Sequence, residues 1–278
     1  MKKIFSVIIE LFCFIPAIAQ QGHGPIYGLS TPTLGKGQAG FDVAAMSMES
    51  QYQRSLMLRY LWSYGITQDL QINLSTPTLI DKIDKPPITR GNAMMPANGD
   101  IETSVYYRFW SNAFGVGKRI ESTAILGGTL PTEKTRGGIT VGNSIHTALT
   151  AGYASRTWYG WIGGGYQYYF KKKGDQLGNL LYATAVVGYR PPFFQHDYPK
   201  PDWRLFVESM AEFPGQNMKA GKKETDQRSE KYFAGPTLLG LYGAWGISGG
   251  VLFPIYQHVT DSFEKEGIRA TLHFSYFF

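Results

Sequence analysis

The last twelve residues of the chain, 267–278, alternate apolar and polar side chains up to the final residue. Successive side chains of a β-strand point to opposite faces of the sheet, so this segment, as a strand, has two unlike faces. One face carries Ile268, Ala270, Leu272, Phe274, Tyr276 and Phe278, and the other carries Arg269, Thr271, His273 and Ser275. Such a strand suits a boundary between an apolar medium and a polar one.

The chain ends on an aromatic residue, Phe278, and no polar tail follows it. A strand of a soluble sandwich can alternate in the same way, but it rarely ends a chain on its most apolar residues. The segment resembles the closing strand of bacterial outer-membrane β-barrels. Its terminal aromatic resembles the signal that the barrel-assembly machinery reads, so the resemblance implies that machinery as a partner and Phe278 as the assembly signal.

The first residues predict export. A pair of lysines precedes an apolar core, residues 4–18, and Ala17 and Ala19 form a small-x-small cleavage site. We therefore expect residues 1–19 to be a cleaved signal peptide, since the core is too short for a spanning helix of about 20 apolar residues. The only cysteine, Cys13, lies in this segment. The mature protein then has no thiol, which excludes disulfides, cysteine nucleophiles and thiolate metal sites.

Composition agrees with a barrel. Mean hydropathy is -0.19, and no apolar run after the signal approaches the length of a spanning helix. Barrels have this profile because half of each strand faces water. The 33 glycines, 15 prolines and 15% aromatic residues favour strands and turns over helices. A net charge of +6 suits contact with anionic outer-membrane lipids and lipopolysaccharide and is too small to indicate nucleic acid.

Twelve segments after residue 37 have the length and pattern of membrane-spanning strands. They are 38–49, 55–65, 69–79, 100–110, 118–130, 143–153, 158–170, 179–190, 202–213, 231–242, 244–256 and 267–278. The number is even, and short turns alternate with long polar loops, as in barrels whose short turns face the periplasm. The sequence therefore predicts an all-β, antiparallel up-and-down barrel over 38–278, in the bacterial outer membrane. The connection 191–201 breaks the rule, because it is long yet falls at the periplasmic end.

Residues 20–37 are too rich in Gly and Pro to form a strand or a helix. We expect them to lie in the periplasm or to fold into the barrel mouth. A barrel of about eight strands is filled by side chains and one of sixteen holds an aqueous channel, so twelve strands predict a narrow bore. Segment 20–37 is long enough to enter that bore and act as a plug or gate.

The polar alternate set of each strand is expected to face inward, because the outside must be apolar. Strand 55–65, for example, places Leu58 outward and Arg59 inward. The predicted lumen-lining residues are Asp42, Arg59, Asp69, Glu102, Arg108, Arg119, Glu121, His146, Arg204, Glu208, Glu212, Arg269 and His273. These charges either brace the wall as ion pairs or line a wet path. Segments 179–190 and 231–242 alternate poorly, so the pattern leaves their facing open.

Two stretches carry a further resemblance. Residues 22–37 run into the start of the first strand, and hairpin 64–72 reads Tyr-Gly-Ile-Thr-Gln-Asp-Leu-Gln-Ile. Both resemble an outer-membrane, transporter-like family named for the meta-pathway of phenol degradation. The resemblance covers nearly the whole mature chain and implies uptake of small compounds, hydrophobic or aromatic ones included. It brings no site residues with it.

Three functions are compatible with these features. A channel or transporter for small solutes comes first, a structural or surface-interaction barrel with a filled lumen second, and an outer-membrane lipid hydrolase last. Ser144 and His146 lie on one face of their strand, but that face is the inward set rather than the lipid-facing wall that such a hydrolase needs. We expect no enzyme activity, no cofactor and no metal site.

Overall fold

The computed structural model describes residues 24–50, 54–81, 100–136, 138–196, 200–224, 229–260 and 265–278. The predicted signal peptide, 1–19, lies outside these residues. In the described residues the strands are β1 (Ala39–Ser50), β2 (Arg54–Gly65), β3 (Leu70–Asp81), β4 (Ile101–Gly115), β5 (Lys118–Leu130), β6 (Thr135–Arg136), β7 (Ile139–Thr140), β8 (Ser144–Ala154), β9 (Trp158–Tyr169), β10 (Leu180–Tyr189), β11 (Asp202–Pro214), β12 (Met218–Lys219), β13 (Lys222–Lys223), β14 (Ser229–Tyr242), β15 (Trp245–Val259) and β16 (Glu266–Phe277).

Twelve of these strands form one closed antiparallel barrel, so the predicted fold is confirmed. Each barrel strand pairs with its sequence neighbours in the barrel, and β1 closes the ring against β16 with Gly40 opposite Phe277. The ends of the chain's barrel segment meet there, because the Ala39 amide donates to the Phe278 carbonyl at 2.7 Å and the Phe278 amide donates back at 2.9 Å. Closure leaves no unpaired sheet edge along this seam.

The outer wall is apolar. Alternate residues of each strand are exposed and aliphatic or aromatic, for example Val207 at 63%, Leu149 at 60% and Leu126 at 62% exposed. Only a lipid phase covers such a continuous band, so the structure is a membrane-spanning barrel of the outer-membrane type. None of the helices in the described residues is long and apolar enough to cross a membrane.

Two predicted features need correction. Strand β4 runs on to Gly115 instead of ending at residue 110, because Gly117 takes a left-handed φ of 69° and lets the chain turn directly into β5. Polar residues Ser111 and Asn112 had the pattern of a loop, yet they pair with β5. Asp69 lies in the turn before β3 rather than in the strand, and its side chain is 50% exposed.

The long connection between β10 and β11 closes against the barrel rim. It contains a 3-10 turn, Pro192–Phe194. The Gln195 side-chain amide donates to the Arg190 carbonyl at 2.9 Å and to the Thr157 hydroxyl at 3.3 Å. In its described residues, 191–196 and 200–201, this connection is therefore tied to the neighbouring β8–β9 turn.

Inside the barrel lies the start of the described chain, residues 24–38, which we call the lumen segment. Its Ile26, Tyr27, Leu29 and Leu34 are buried, although this segment contains no regular secondary structure. Leu29 packs with Leu180 and Tyr182 of β10, among other buried residues. The protein thus has a packed core inside the barrel as well as an apolar surface outside it.

Candidate functional site in the barrel interior

One carboxylate holds the lumen segment. Glu208 of β11 is fully buried, and it accepts hydrogen bonds from the amides of Ile26, Tyr27 and Gly28 at 2.8, 2.7 and 2.7 Å. The Thr237 hydroxyl of β14 donates to the same carboxylate. Three successive amides pointing at one anion form a backbone nest. Glu208 therefore fixes the conformation of the segment as well as its position.

Further bonds tie the segment to other strands. The Leu29 amide donates to the Thr184 hydroxyl of β10 at 3.1 Å. Thr31 donates to Glu121 of β5 at 3.2 Å, and the Trp161 indole of β9 donates to the Thr31 hydroxyl at 3.0 Å. These bonds satisfy the polar groups of a segment that has no ladder of its own. The segment is thereby attached to β5, β9 and β10, and it also contacts β3, where the Leu34 amide donates to Gln71 at 2.7 Å.

The fit is close at one glycine in particular. A Cβ on Gly28 would collide with Cγ2 of Val186 in the wall of β10. Any side chain at this position would push the segment away from β10 and Glu208. Gly28 therefore allows the backbone of the lumen segment to approach the barrel wall.

A charged cluster fills the lumen near the long-loop end. Arg269 makes a bidentate pair with Glu212, both distances being 2.8 Å, and its Nε donates to Glu266 at 3.0 Å. Lys231 donates to Glu266 at 2.6 Å, and the Arg269 guanidinium lies 4.0 Å from the centre of the Phe233 ring. All four charges are buried, so each depends on its partners for compensation of lost hydration. We call these four residues the brace, because their ion pairs connect β11, β14 and β16 across the interior.

Ion pairs also lie near the short-turn end. Arg108 contacts Glu121 at 2.9 Å and Asp69 at 2.8 Å, while Arg119 lies 3.2 Å from the same Glu121. Arg204 donates to Asp202 at 2.8 Å and stacks 5.3 Å from the Tyr159 ring centre. The pairs of Arg108 link β4 to β5 and to the turn before β3, whereas Arg204 and Asp202 lie on the same strand, β11.

A cavity of about 220 Å³ remains beside the lumen segment, along the wall formed by β1–β4 and β16. It extends from Gly40 and Phe277 at the short-turn end to Glu102. Apolar residues and amide or hydroxyl groups share its lining. The ionisable lining residues are Asp42, Arg59, Glu102 and His273.

Two buried polar atoms of the cavity wall have no hydrogen-bond partner among the described residues, Oε2 of Glu102 and Nε2 of His273. The His273 Nδ1 lies 3.3 Å from Asp42, which also accepts a bond from Ser275 at 2.6 Å. The cavity therefore offers two polar atoms that can bond a solute among apolar walls.

The structure places the residues that the sequence singled out as follows. Buried in the interior are Arg59, Glu102, Glu121, His146, Arg204, Glu208, Glu212 and Arg269. Asp42, Arg108, Arg119 and His273 are partly exposed on the inner wall, whereas Asp69 is in the rim turn. They do not form one site, because they divide among the brace, the rim pairs, the anchor of the lumen segment and the cavity.

Sequence reasoning missed two members of the brace, Lys231 and Glu266. The pairing of β1 with β16 shifts register between Met48 and Ser50, which brings Glu266 inward beside Arg269. Strict alternation cannot foresee such a shift. The anchors Thr184 and Trp161 were also missed, since they act on a segment with no periodic pattern.

Ser144 and His146 do not reach the lipid-facing wall. The Ser144 hydroxyl accepts a bond from Gln167 at 2.8 Å and shares another with Thr129 at 2.5 Å. His146 Nε2 lies 3.8 Å from Glu102. Both side chains are buried inside the barrel, away from the position at which a lipid ester would approach.

No protein-family model matches the sequence. No curated protein matches it. Among solved structures, the chain is similar to the COG4313 outer membrane channel from Pseudomonas putida F1, with a TM-score of 0.58 and 17% identity over 90% of this chain and 98% of that one. Two weaker likenesses are LpxR from Salmonella typhimurium (TM-score 0.40, 9% identity, 87% and 100% of the two chains) and OccK11 from Pseudomonas aeruginosa (0.34, 10%, 90% and 99%). The first of these likenesses supports the fold already described.

Proposed function

We propose that this protein is an outer-membrane channel for small solutes and that the lumen segment is its gate. The observation that carries the proposal is the space left beside the lumen segment. Glu208 and other side chains hold the segment inside the barrel, and a cavity of about 220 Å³ remains between it and the wall of β1–β4 and β16. The fold-level likeness to an outer membrane channel agrees with it.

The cavity also supports a class of solute. Polar atoms of Glu102 and His273 without a partner among the described residues favour molecules that form hydrogen bonds, and Phe41, Leu61 and Phe277 favour an apolar body. A small hydroxylated or amino-substituted ring combines the two. This class agrees with the resemblance to the phenol meta-pathway family, which we propose as the family of this chain. Phe278 as the signal for the barrel-assembly machinery belongs to the same proposal.

A filled structural barrel is the second candidate, and one observation favours it. The brace and the lumen segment together occupy much of the interior with buried, bonded groups. A barrel of this kind would present its loops and carry no solute. The two candidates differ in whether any solute crosses the membrane through the barrel.

Liposome swelling and planar-bilayer recording on the full chain test the proposal. We expect single-channel events, and swelling with some members of a set of sugars, amino acids, nucleosides and aromatic acids. Glu102→Gln should change entry of solutes with hydroxyl or amino groups relative to other members of the set, because it replaces a hydrogen-bonding group that lines the cavity. Absence of conductance and swelling, both in the full chain and after removal of the lumen segment, would establish the structural barrel instead.

A further inference from the structure

Two extracellular loop tips are built into one unit at the long-loop end. One tip is the turn at residues 172–175, where Lys172 and Asp175 exchange backbone hydrogen bonds of 2.8 and 3.0 Å. The other is the β12–β13 hairpin, in which Lys219 pairs with Lys222. The tips dock on each other, since the Gly221 amide donates to the Gly174 carbonyl at 2.8 Å and Gln176 bridges to Met218.

The Asp175 carboxylate connects the two tips to a third loop. One of its carboxylate oxygens accepts the Ala220 amide at 2.8 Å, and the other accepts the Thr140 amide at 2.8 Å. The carboxylate thereby joins three loops. These amide hydrogen bonds, led by that from Ala220, lower the pKa of Asp175, so the group stays ionised through the neutral range.

The turns adopt a costly backbone. Lys173 and Ala220 have φ values of 53° and 50°, in the left-handed region that disfavours residues with a Cβ. Each is followed by a glycine that is also left-handed. Strain held at two matching positions indicates that the docked arrangement is maintained by its contacts.

The docked tips carry a dense positive charge. We call this surface the lysine platform; its members are Lys171, Lys172, Lys173, Lys219, Lys222 and Lys223. All six are exposed, and in the described part of the chain none makes an ion pair. Among the described residues of the same loops, the acidic ones are Asp175, whose oxygens are taken by amides, and Glu224; Asp226 lies outside the described residues.

The platform lies next to the aromatic boundary of the apolar wall. Phe170, exposed at 44%, directly precedes Lys171 and packs edge-on against Tyr168 at 5.4 Å. On β11 and β14, the strands that flank the β12–β13 hairpin, Phe213 packs against Tyr232 at 5.6 Å. Aromatic girdles mark the interface of a barrel with the lipid headgroups. The lysines therefore lie at the depth of the outer-leaflet headgroups.

We infer that the lysine platform binds the phosphate groups of lipopolysaccharide in the outer leaflet. Ammonium groups bind phosphate as point charges, and several on a fixed scaffold hold a multiply phosphorylated headgroup without ordering the loops at the time of binding. Each lysine near an anionic surface adds to the attraction, so six together attract it strongly, and the attraction weakens with salt. This inference is independent of whether the lumen conducts.

Binding of lipid A to the purified full chain in a neutral detergent tests it, with lipid A bearing two phosphates compared with its dephosphorylated form. The main variant replaces the six platform lysines with Gln, and the control replaces exposed Lys36 and Lys118, at the opposite end, with Gln. We expect the phosphorylated form to bind at least about tenfold more tightly, the six-lysine variant to lose this preference and the control to keep it. Millimolar inorganic phosphate should not displace the lipid, because a single phosphate lacks the multivalent contact.

Asp175→Ala separates the arrangement from the charge. It keeps all six lysines but removes the carboxylate bonds to the Ala220 and Thr140 amides, which weakens the docking of the tips, so we expect affinity for phosphorylated lipid A to fall several-fold. Heat-modifiable migration would show that the barrel of each variant is folded. Equal binding of the two forms of lipid A, or equal loss in the platform and control variants, would overturn the inference. Full displacement by inorganic phosphate would instead identify a site for free anions and overturn it as well.

Discussion

Strands β3 and β10 lie on nearly opposite sides of the barrel, and their inner faces differ. The face of β3 carries Gln71, Asn73 and Ser75, all polar, and borders the cavity through Gln71 and Asn73. The buried face of β10 carries Leu180, Tyr182, Thr184 and Val186. The lumen segment packs against the apolar face of β10, whereas a cavity remains beside the polar face of β3, where the Leu34 amide donates to Gln71 at 2.7 Å.

The difference shows that the barrel interior has two kinds of wall. Apolar surface facing a lumen would be in contact with water, so the lumen segment gains hydrophobic burial by docking there. Polar surface gains little from such cover. The same argument explains why the two sides should respond differently to mutation, with structural effects on the β10 side and effects on solutes on the β3 side.

Removal of the lumen segment should have the largest effect on the difference between the two sides of the barrel. Deletion of residues 21–34 exposes the apolar face of β10 and joins the space that the segment occupied to the cavity. We expect single-channel conductance to rise several-fold while the barrel remains folded, because the strand ladder does not include these residues. Planar-bilayer recording measures the rise, and unchanged conductance in a folded deletion variant would contradict the gate.

Two of the buried glutamates, Glu208 and Glu102, allow the anchor of the lumen segment to be compared with the cavity wall. Glu208→Ala leaves three amides of the lumen segment without their acceptor, which should cost about 2–4 kcal/mol of stability and expose the segment to proteases. Glu102→Gln should cost less than about 1 kcal/mol, since one oxygen of Glu102 has no partner to lose. Urea unfolding in detergent with limited proteolysis compares them. Equal losses would mean that the cavity side is as tightly packed as the segment side.

Sequence alternation predicted one part of this arrangement and left another part open. The strands and the closed barrel were predictable because lipid outside imposes alternation on every strand. The facing of β10 and β14 was not, since an apolar inner face, here Leu180 or Phe233, looks like an outer one until the lumen segment is in place. Partners such as Arg269 and Glu212 meet across non-adjacent strands, and no local spacing encodes that contact.

Glycine positions offer a smaller and more local test. Gly28→Ala should weaken docking by about 1–3 kcal/mol, because the new Cβ meets Val186 of β10. Gly160→Ala is the control, as the nearest atom to its Cβ is 3.9 Å away, and it should be neutral or slightly stabilising. Protease accessibility of the lumen segment reports docking. Similar accessibility in both variants would show that the segment does not rely on close approach to β10.

The smallest expected effect is at Tyr27, whose hydroxyl donates to the backbone carbonyls of Gly250 and Arg269 at 3.1 and 3.2 Å. Tyr27→Phe keeps the buried ring and loses only these long bonds, so we expect about 0.5–1.5 kcal/mol of destabilisation. Tyr107→Phe, on the lipid-facing side at 52% exposure, should change stability by less. Because the ring of Tyr27 stays packed with Met46 and Phe233, the gate should remain shut and conductance should not rise. A conductance increase in Tyr27→Phe without a matching loss of stability would show that these hydroxyl bonds, rather than the apolar contacts and Glu208, hold the segment in the lumen.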